Sequence, residues 1–274
     1  MNVLEVVRRP DLQTSDLGVG GPARGELAAG RVNAEYRIPA VLATIHLRSV
    51  AASGTGYPAA VPDDAALTDL LGALAYGELT AFDRLAEDAR MSPTLPGRAA
   101  LAQMAAVEIG HYRLLAERLE MLGAVPEEAM APFAPALDGF HAMTVPADWL
   151  EGLVKAYVGD GLAADFYREI ADYVDPATRE LIIEVLADTG SAAFAVREVR
   201  AAIAANPAIA GRLALWGRRL VGEAISQTQH VLAEHDSLTE LLVEGAGDLT
   251  GVAALIKRIT DKHSERMAAL GLAN

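Results

Sequence analysis

The 274-residue chain has no cysteine. That rules out disulfides, thiolate zinc sites, iron–sulfur ligation and cysteine nucleophiles. It is compatible with a reducing compartment, and a cytoplasmic location is the expectation. Aromatic residues are scarce, at 5%, while alanine is abundant, which favours closely packed helices over a sheet. Basic residues are outnumbered: 23 Lys and Arg stand against 37 Asp and Glu, a formal charge of −14. Such a balance opposes broad attraction to nucleic acid or to an anionic membrane surface. No apolar run reaches about 18 residues without a charge, so no transmembrane helix is predicted. The N-terminus does not follow the basic-then-apolar order of a signal peptide. Neither a nucleophile-elbow serine, a Walker loop nor a dinucleotide fingerprint occurs. Metal-assisted chemistry is then the one enzymatic reading with residues to support it.

Apolar residues make up 52% of the chain, enough for a sizeable core. Residues 1–62 read as an N-terminal arm and linker: irregular through residue 34, a short apolar segment over 38–50, then Gly54, Gly56, Pro58 and Pro62. A helical bundle is predicted over 63–236 and a C-terminal helical extension over 237–274. The first long helix starts near Asp63 and Asp64, with the stripe Leu67, Leu71, Leu74, Glu78, Ala81, Leu85. A second runs from about 97 to 122 and closes at Gly123. Residues 124–145, with Pro126, Pro132, Pro135 and Gly139, read as a long crossover with little regular structure. A third helix starts near Pro146-Ala147-Asp148 and runs to about 174, with the stripe Leu153, Ala156, Asp160, Ala164, Tyr167, Ala171. A single fourth helix runs from Asp175-Pro176 to Asn206, with the stripe Leu181, Val185, Asp188, Ser191, Ala195, Ala202. A fifth spans about 208–235 and a sixth about 249–270.

The central signal is Glu108-Ile-Gly-His111. Three residues apart on a helix, the carboxylate and imidazole share one face. Leu101, Met104, Leu115 and Leu122 put that face toward the core. An ionised carboxylate there costs several kcal/mol unless something compensates for it. The pattern then recurs. Gly77-Glu78 in AYGELTAF, with Glu108-x-Gly-His111 thirty residues on, parallels Gly159-Asp160 in AYVGDGLAADF, with Asp188-x-Gly-Ser191 twenty-eight residues on. Four carboxylates on four core stripes would repel one another strongly in a low dielectric. Divalent cations bridged by carboxylates resolve that in helical bundles, and oxygen and imidazole donors suit iron, with manganese as the alternative.

On these residues the chain resembles the ferritin-like di-iron carboxylate superfamily over about 64–235, and within it the actinobacterial proteins related to the tRNA methylthio-isopentenyladenosine hydroxylase (MiaE-like). The resemblance implies an all-α, ferritin-like four-helix bundle with a long crossover and one or two additional C-terminal helices. It implies two iron ions, with Glu78, Glu108, His111, Asp160 and Asp188 as metal ligands. It also implies an oxygen-dependent hydroxylase or oxidase and a modified tRNA nucleoside as one substrate class, which the acidic charge disfavours. The chain departs from the pattern at Ser191, where a histidine is expected, and at two aspartates that replace glutamates. One complete metal position and one weakened position are therefore expected, with His230 the one substitute ligand in view.

The other candidates have plainer readings. Ser191 reads as a small residue allowing close helix contact, and Tyr76, Tyr157 and Tyr167 as packing. His230 and His235 read as a solvated face, His141 as incidental, and His46 and His263 as outside any constellation. Arg197, Arg200, Arg212, Arg218 and Arg219 read as neutralising an acidic surface rather than binding phosphate. Three functions follow: a di-iron oxidase or hydroxylase, a helical scaffold descended from one, and iron storage. A homodimer is expected, in preference to a closed cage.

Overall fold

The computed structural model describes residues 64–187 and 190–273. The predicted N-terminal arm, the linker and Asp188 lie outside the described residues. Among those described the structure is all-α, and no helix is long and apolar enough to cross a membrane.

Helices α1 (Asp64–Asp88) and α2 (Leu95–Met121) form a hairpin packed along its length. The Thr94 side chain accepts from Gly97 N at 3.1 Å and caps α2, with proline in its first turn. The stripe predicted for α1 is its buried face: Leu67, Leu71, Leu74, Glu78 and Leu85 are all buried. Leu115 and Leu119 complete the contact from α2.

The crossover is more regular than its prolines suggest. It holds α3 (Pro126–Met130), a 3-10 turn and α4 (Ala134–Met143). Prolines in the first turn of each initiate helices here rather than breaking them, since the N–H they lack has no intrahelical partner there. Phe133, fully buried, pins the connection to the core. Gly72 allows α3 to approach α1: a Cβ at that position would stand 2.3 Å from the Ala129 carbonyl oxygen.

Helix α5 (Trp149–Ile170) is central. It packs on α1 and on α6 (Pro176–Val185), α7 (Ser191–Ala205), α8 (Ala210–Glu234) and α10 (Leu249–Ala269). Asp148 caps α5, accepting from Leu150 N and Glu151 N at 3.0 Å. The remaining helix, α9 (Asp236–Ala246), packs on α1, α8 and α10. Buried Asp165 of α5 is met by Lys262 at 3.3 Å, by Arg168 at 3.8 Å and by Arg266, which ties α10 to the bundle.

The predicted continuous fourth helix is instead two helices. α6 ends at Val185, and α7 starts at Ser191 after Gly190, whose φ of +92° is left-handed. Asp188-Thr189-Gly190 is a run of turn formers, and Arg168 from α5 donates to the freed Leu186 carbonyl. The apolar spacing continues across the interruption, so periodicity alone does not show it.

Adding a methyl group at Gly72 tests the α1–α3 approach. Gly72→Ala is expected to destabilise the fold by about 1–3 kcal/mol through overpacking. Gly110→Ala, where no atom stands within 4 Å of the added carbon, is expected to gain about 0.5–1 kcal/mol from helix propensity. Thermal denaturation of the two variants should move in opposite directions.

Candidate metal centre

Mid-length on α1, Glu78 faces Glu108 and His111 of α2. The pair on α2 sits one turn apart on the side of that helix that meets α1, as the stripe requires. Among the described residues these three form the one group of side chains spaced to share a metal ion, each with a ligand atom within 4.8 Å of the others. His111 Nδ1 lies 3.3 Å from Glu78 Oε2 and 3.3 Å from Glu108 Oε2. Ligands about 2.1 Å from a common ion stand about 3.0 Å apart in octahedral and 3.4 Å apart in tetrahedral geometry. The observed spacing fits that, and the donor set, two carboxylates and one imidazole, suits iron, manganese or zinc. The side chains are 10–17% exposed, so water compensates their charge poorly.

Protonation shows the same stress. Burial, then the hydrogen bond and charge of Glu108, push Glu78 up to about 8, against the pull of His111. Glu108 is drawn upward by burial, but His111 and the Glu78 carboxyl hold it below the usual carboxylate range. Hydrogen bonds to Glu108 and then Glu78 raise His111 to about 9. Both shifts favour the protonated forms of Glu78 and His111 near neutral pH.

The remaining predicted ligands are placed differently. Asp160 on α5 has a solvent-accessible surface, but that surface faces a cavity inside the bundle. It sits close enough to Glu108 that burial and then Glu108's charge drive its pKa well upward. It does not join the three-residue cluster. Ser191 is the first residue of α7, in the same cavity wall. A helix break precedes it, and Asp188, the ligand predicted one turn earlier, lies outside the described residues. His230, the substitute ligand, is exposed and lies outside the cluster.

The cavity measures about 670 Å³, within the range of about 300–1,000 Å³ common for ligand sites. Along α1 it runs from Leu70 to Asp88, about 27 Å at 1.5 Å per residue. Its walls are mostly apolar, with Glu78, Glu108 and His111 near the middle. Tyr167 lines it beside Glu78, and burial followed by that carboxylate keeps its phenol protonated.

Several residues depart from their plain readings. His141 stands in the cavity wall, its Nδ1 buried without a partner among the described residues, and burial lowers it to about 3. His263 is also buried, and burial lowers it to about 4. His235 stacks on Phe133 at 4.3 Å and is not on a solvated face. Lys155 and Asp88, both buried in the cavity wall, escaped the sequence reading. Asp88 was within reach, since it extends the α1 stripe three residues beyond Leu85. The arginines are used internally: Arg212 pairs with Asp148 and Glu151, while Arg200, Arg218 and Arg219 donate to the carbonyls of Ala269, Ala273 and Met143. Arg197 pairs with Glu198.

The sequence matches the family described as "Ferritin-like domain, actinomycetes" over residues 62–245. No curated protein matches it.

The raised values fix the sign of a pH effect. His111 and Glu78 both bind protons more tightly in the folded state than in the unfolded chain. Their contributions are complete below about 6.5 and 4.5 and are lost as pH rises through about 9 and 8. Metal-free protein is expected to melt at lower temperature at pH 8.5 than at pH 6.5. His111→Gln should flatten that dependence in a calorimetric pH series.

Proposed function

Since the chain belongs to the family of ferritin-like domains of actinomycetes, we propose that it is an oxygen-dependent oxidase or hydroxylase with one well-formed metal position. Glu78, Glu108 and His111 would hold the ion, iron first and manganese as the alternative. The observation that carries this reading is the meeting of these three ionisable groups on the wall of an apolar cavity. Bound there, iron would supply electron transfer to dioxygen and oxidation of a C–H bond, with the two balancing electrons drawn from an external reductant.

The protein's own residues do the rest. Glu78 and Glu108 contribute two negative charges once Glu78 gives up its proton. His111 contributes a neutral nitrogen donor once it gives up its own. The leucines and Phe166 around the cavity keep bulk water away from the reacting carbon. Tyr167 stays a neutral phenol beside Glu78 and is placed to hold a proton there. Asp160, on the facing helix, offers a further carboxylate for a second, weaker position. A modified tRNA nucleoside is the substrate class of the MiaE-like resemblance. The charge of −14 and the internal use of the arginines favour a small apolar substrate instead.

One observation favours a second reading. Ser191, at the start of α7 in the cavity wall, stands where the resemblance expects a histidine ligand, as fits a scaffold that no longer turns over. The two readings separate by experiment. Protein loaded anaerobically with ferrous iron should hold about one ion per chain, and losing His111 or Glu108 should weaken binding at least about tenfold. Oxygen consumption should fall with it. Less than about a tenth of an ion per chain after loading, under conditions where a three-ligand site should fill, would end the metal reading. Normal loading with no oxygen consumption would leave the scaffold.

A further inference from the structure

The cavity has a second polar corner that the metal centre does not explain. Lys155 of α5 is 6% exposed and Asp88 of α1 is 7% exposed, and both line the cavity. Lys155 Nζ donates to the Thr144 carbonyl at 2.7 Å and sits 5.5 Å from the centroid of the Phe140 ring. Those are its close contacts among the described residues, and Asp88 accepts no hydrogen bond among them. An ammonium has three N–H donors, so two remain unspent among the described residues. A buried ammonium and a buried carboxylate each cost several kcal/mol unless partnered. Here the two influence each other through space without forming an ion pair. The corner therefore has room for a further polar group, and the walls beyond it are apolar.

We propose that the cavity binds an apolar carboxylic acid, with its carboxyl group seated between Lys155 and Asp88 and its hydrocarbon lying along α1 toward Glu78 and His111. Among small polar heads the carboxyl group fits both neighbours. Its two oxygens accept from the free donors of Lys155, and it can share a proton with Asp88. An amine would serve Asp88 alone, and an ester could not bring a charge to Lys155. Burial raises Asp88 to about 6 and lowers Lys155 to about 8, so the acid can share a proton while the lysine stays cationic at neutral pH. Asp88 lies ten residues beyond Glu78 on the same helix, about 15 Å along the axis. A chain anchored at the corner would thus pass its middle carbons beside the metal centre. As an assignment of substrate class this rests on the metal reading. As an assignment of a binding site it does not.

The test is a fluorescence titration of metal-free, full-length protein with parinaric acid and with its methyl ester, below their aggregation limits. The acid is expected to bind at least about tenfold more tightly than the ester, the scale of a hydrogen-bonded charge. Lys155→Met should remove that preference and leave ester binding unchanged, Lys155→Arg should restore part of it, and Asp88→Asn should retain it. Equal affinity for acid and ester in the unaltered protein, or no saturable binding of either, overturns the proposal without reference to any variant's folding. So does an acid preference that survives in folded Lys155→Met. The Glu108→Ala protein separates the two readings. There the acid preference should persist while metal loading is lost, so neither failure can be mistaken for the other.

Discussion

Three ionisable groups, Glu78, Glu108 and His111, are held together where little water reaches them, and the centre of the molecule is organised around satisfying their charge. With all three in their usual states at alkaline pH the cluster would carry two negative charges on an apolar wall. Two protons, one on Glu78 and one on His111, bring it to neutrality. A divalent cation would reach the same balance by replacing both protons, and its binding would release them. Neutrality is what lets these residues take positions where leucine would otherwise pack.

The surrounding helices serve that arrangement. α1 and α2 form the tightest pair and bring the three groups to one level. The crossover helices α3 and α4 cover α1 and carry Phe140 and His141 into the cavity wall. α5, buried on most sides, turns Asp160 and Tyr167 toward the same space, and its Asp165 pairs with Lys262 and Arg266 of α10. The cavity between these elements joins the Glu78–Glu108–His111 cluster at its middle to the Lys155–Asp88 corner at one end.

How much of this was legible in the sequence depended on whether the signal was local. The α1 and α2 stripes, the caps at Asp148 and Asp175, and the pairing of Glu78 with Glu108 and His111 all follow from helical spacing and from charges placed in leucine slots. The interruption before α7 did not, because Leu181, Val185, Ser191 and Ala195 keep their spacing through it. The cue was chemical: Asp188-Thr189-Gly190 is a turn sequence, and a left-handed glycine separates two helices. The prolines of the crossover misled in the opposite direction, since first-turn proline starts a helix as readily as proline elsewhere ends one. Lys155 lay off the stripe containing Asp160 and could be found only once α5 was known to be buried on several faces. His141 and His235 drew their environments from distant segments, which no local pattern encodes.

The most direct test of the account is a crystal of this protein soaked in manganous ion, with diffraction measured on both sides of the manganese absorption edge. The account predicts an anomalous peak bounded by the Glu78 and Glu108 carboxylates and the His111 ring. A well-ordered map with those three side chains in place and no peak between them, or with manganese bound only at surface carboxylates, would contradict it.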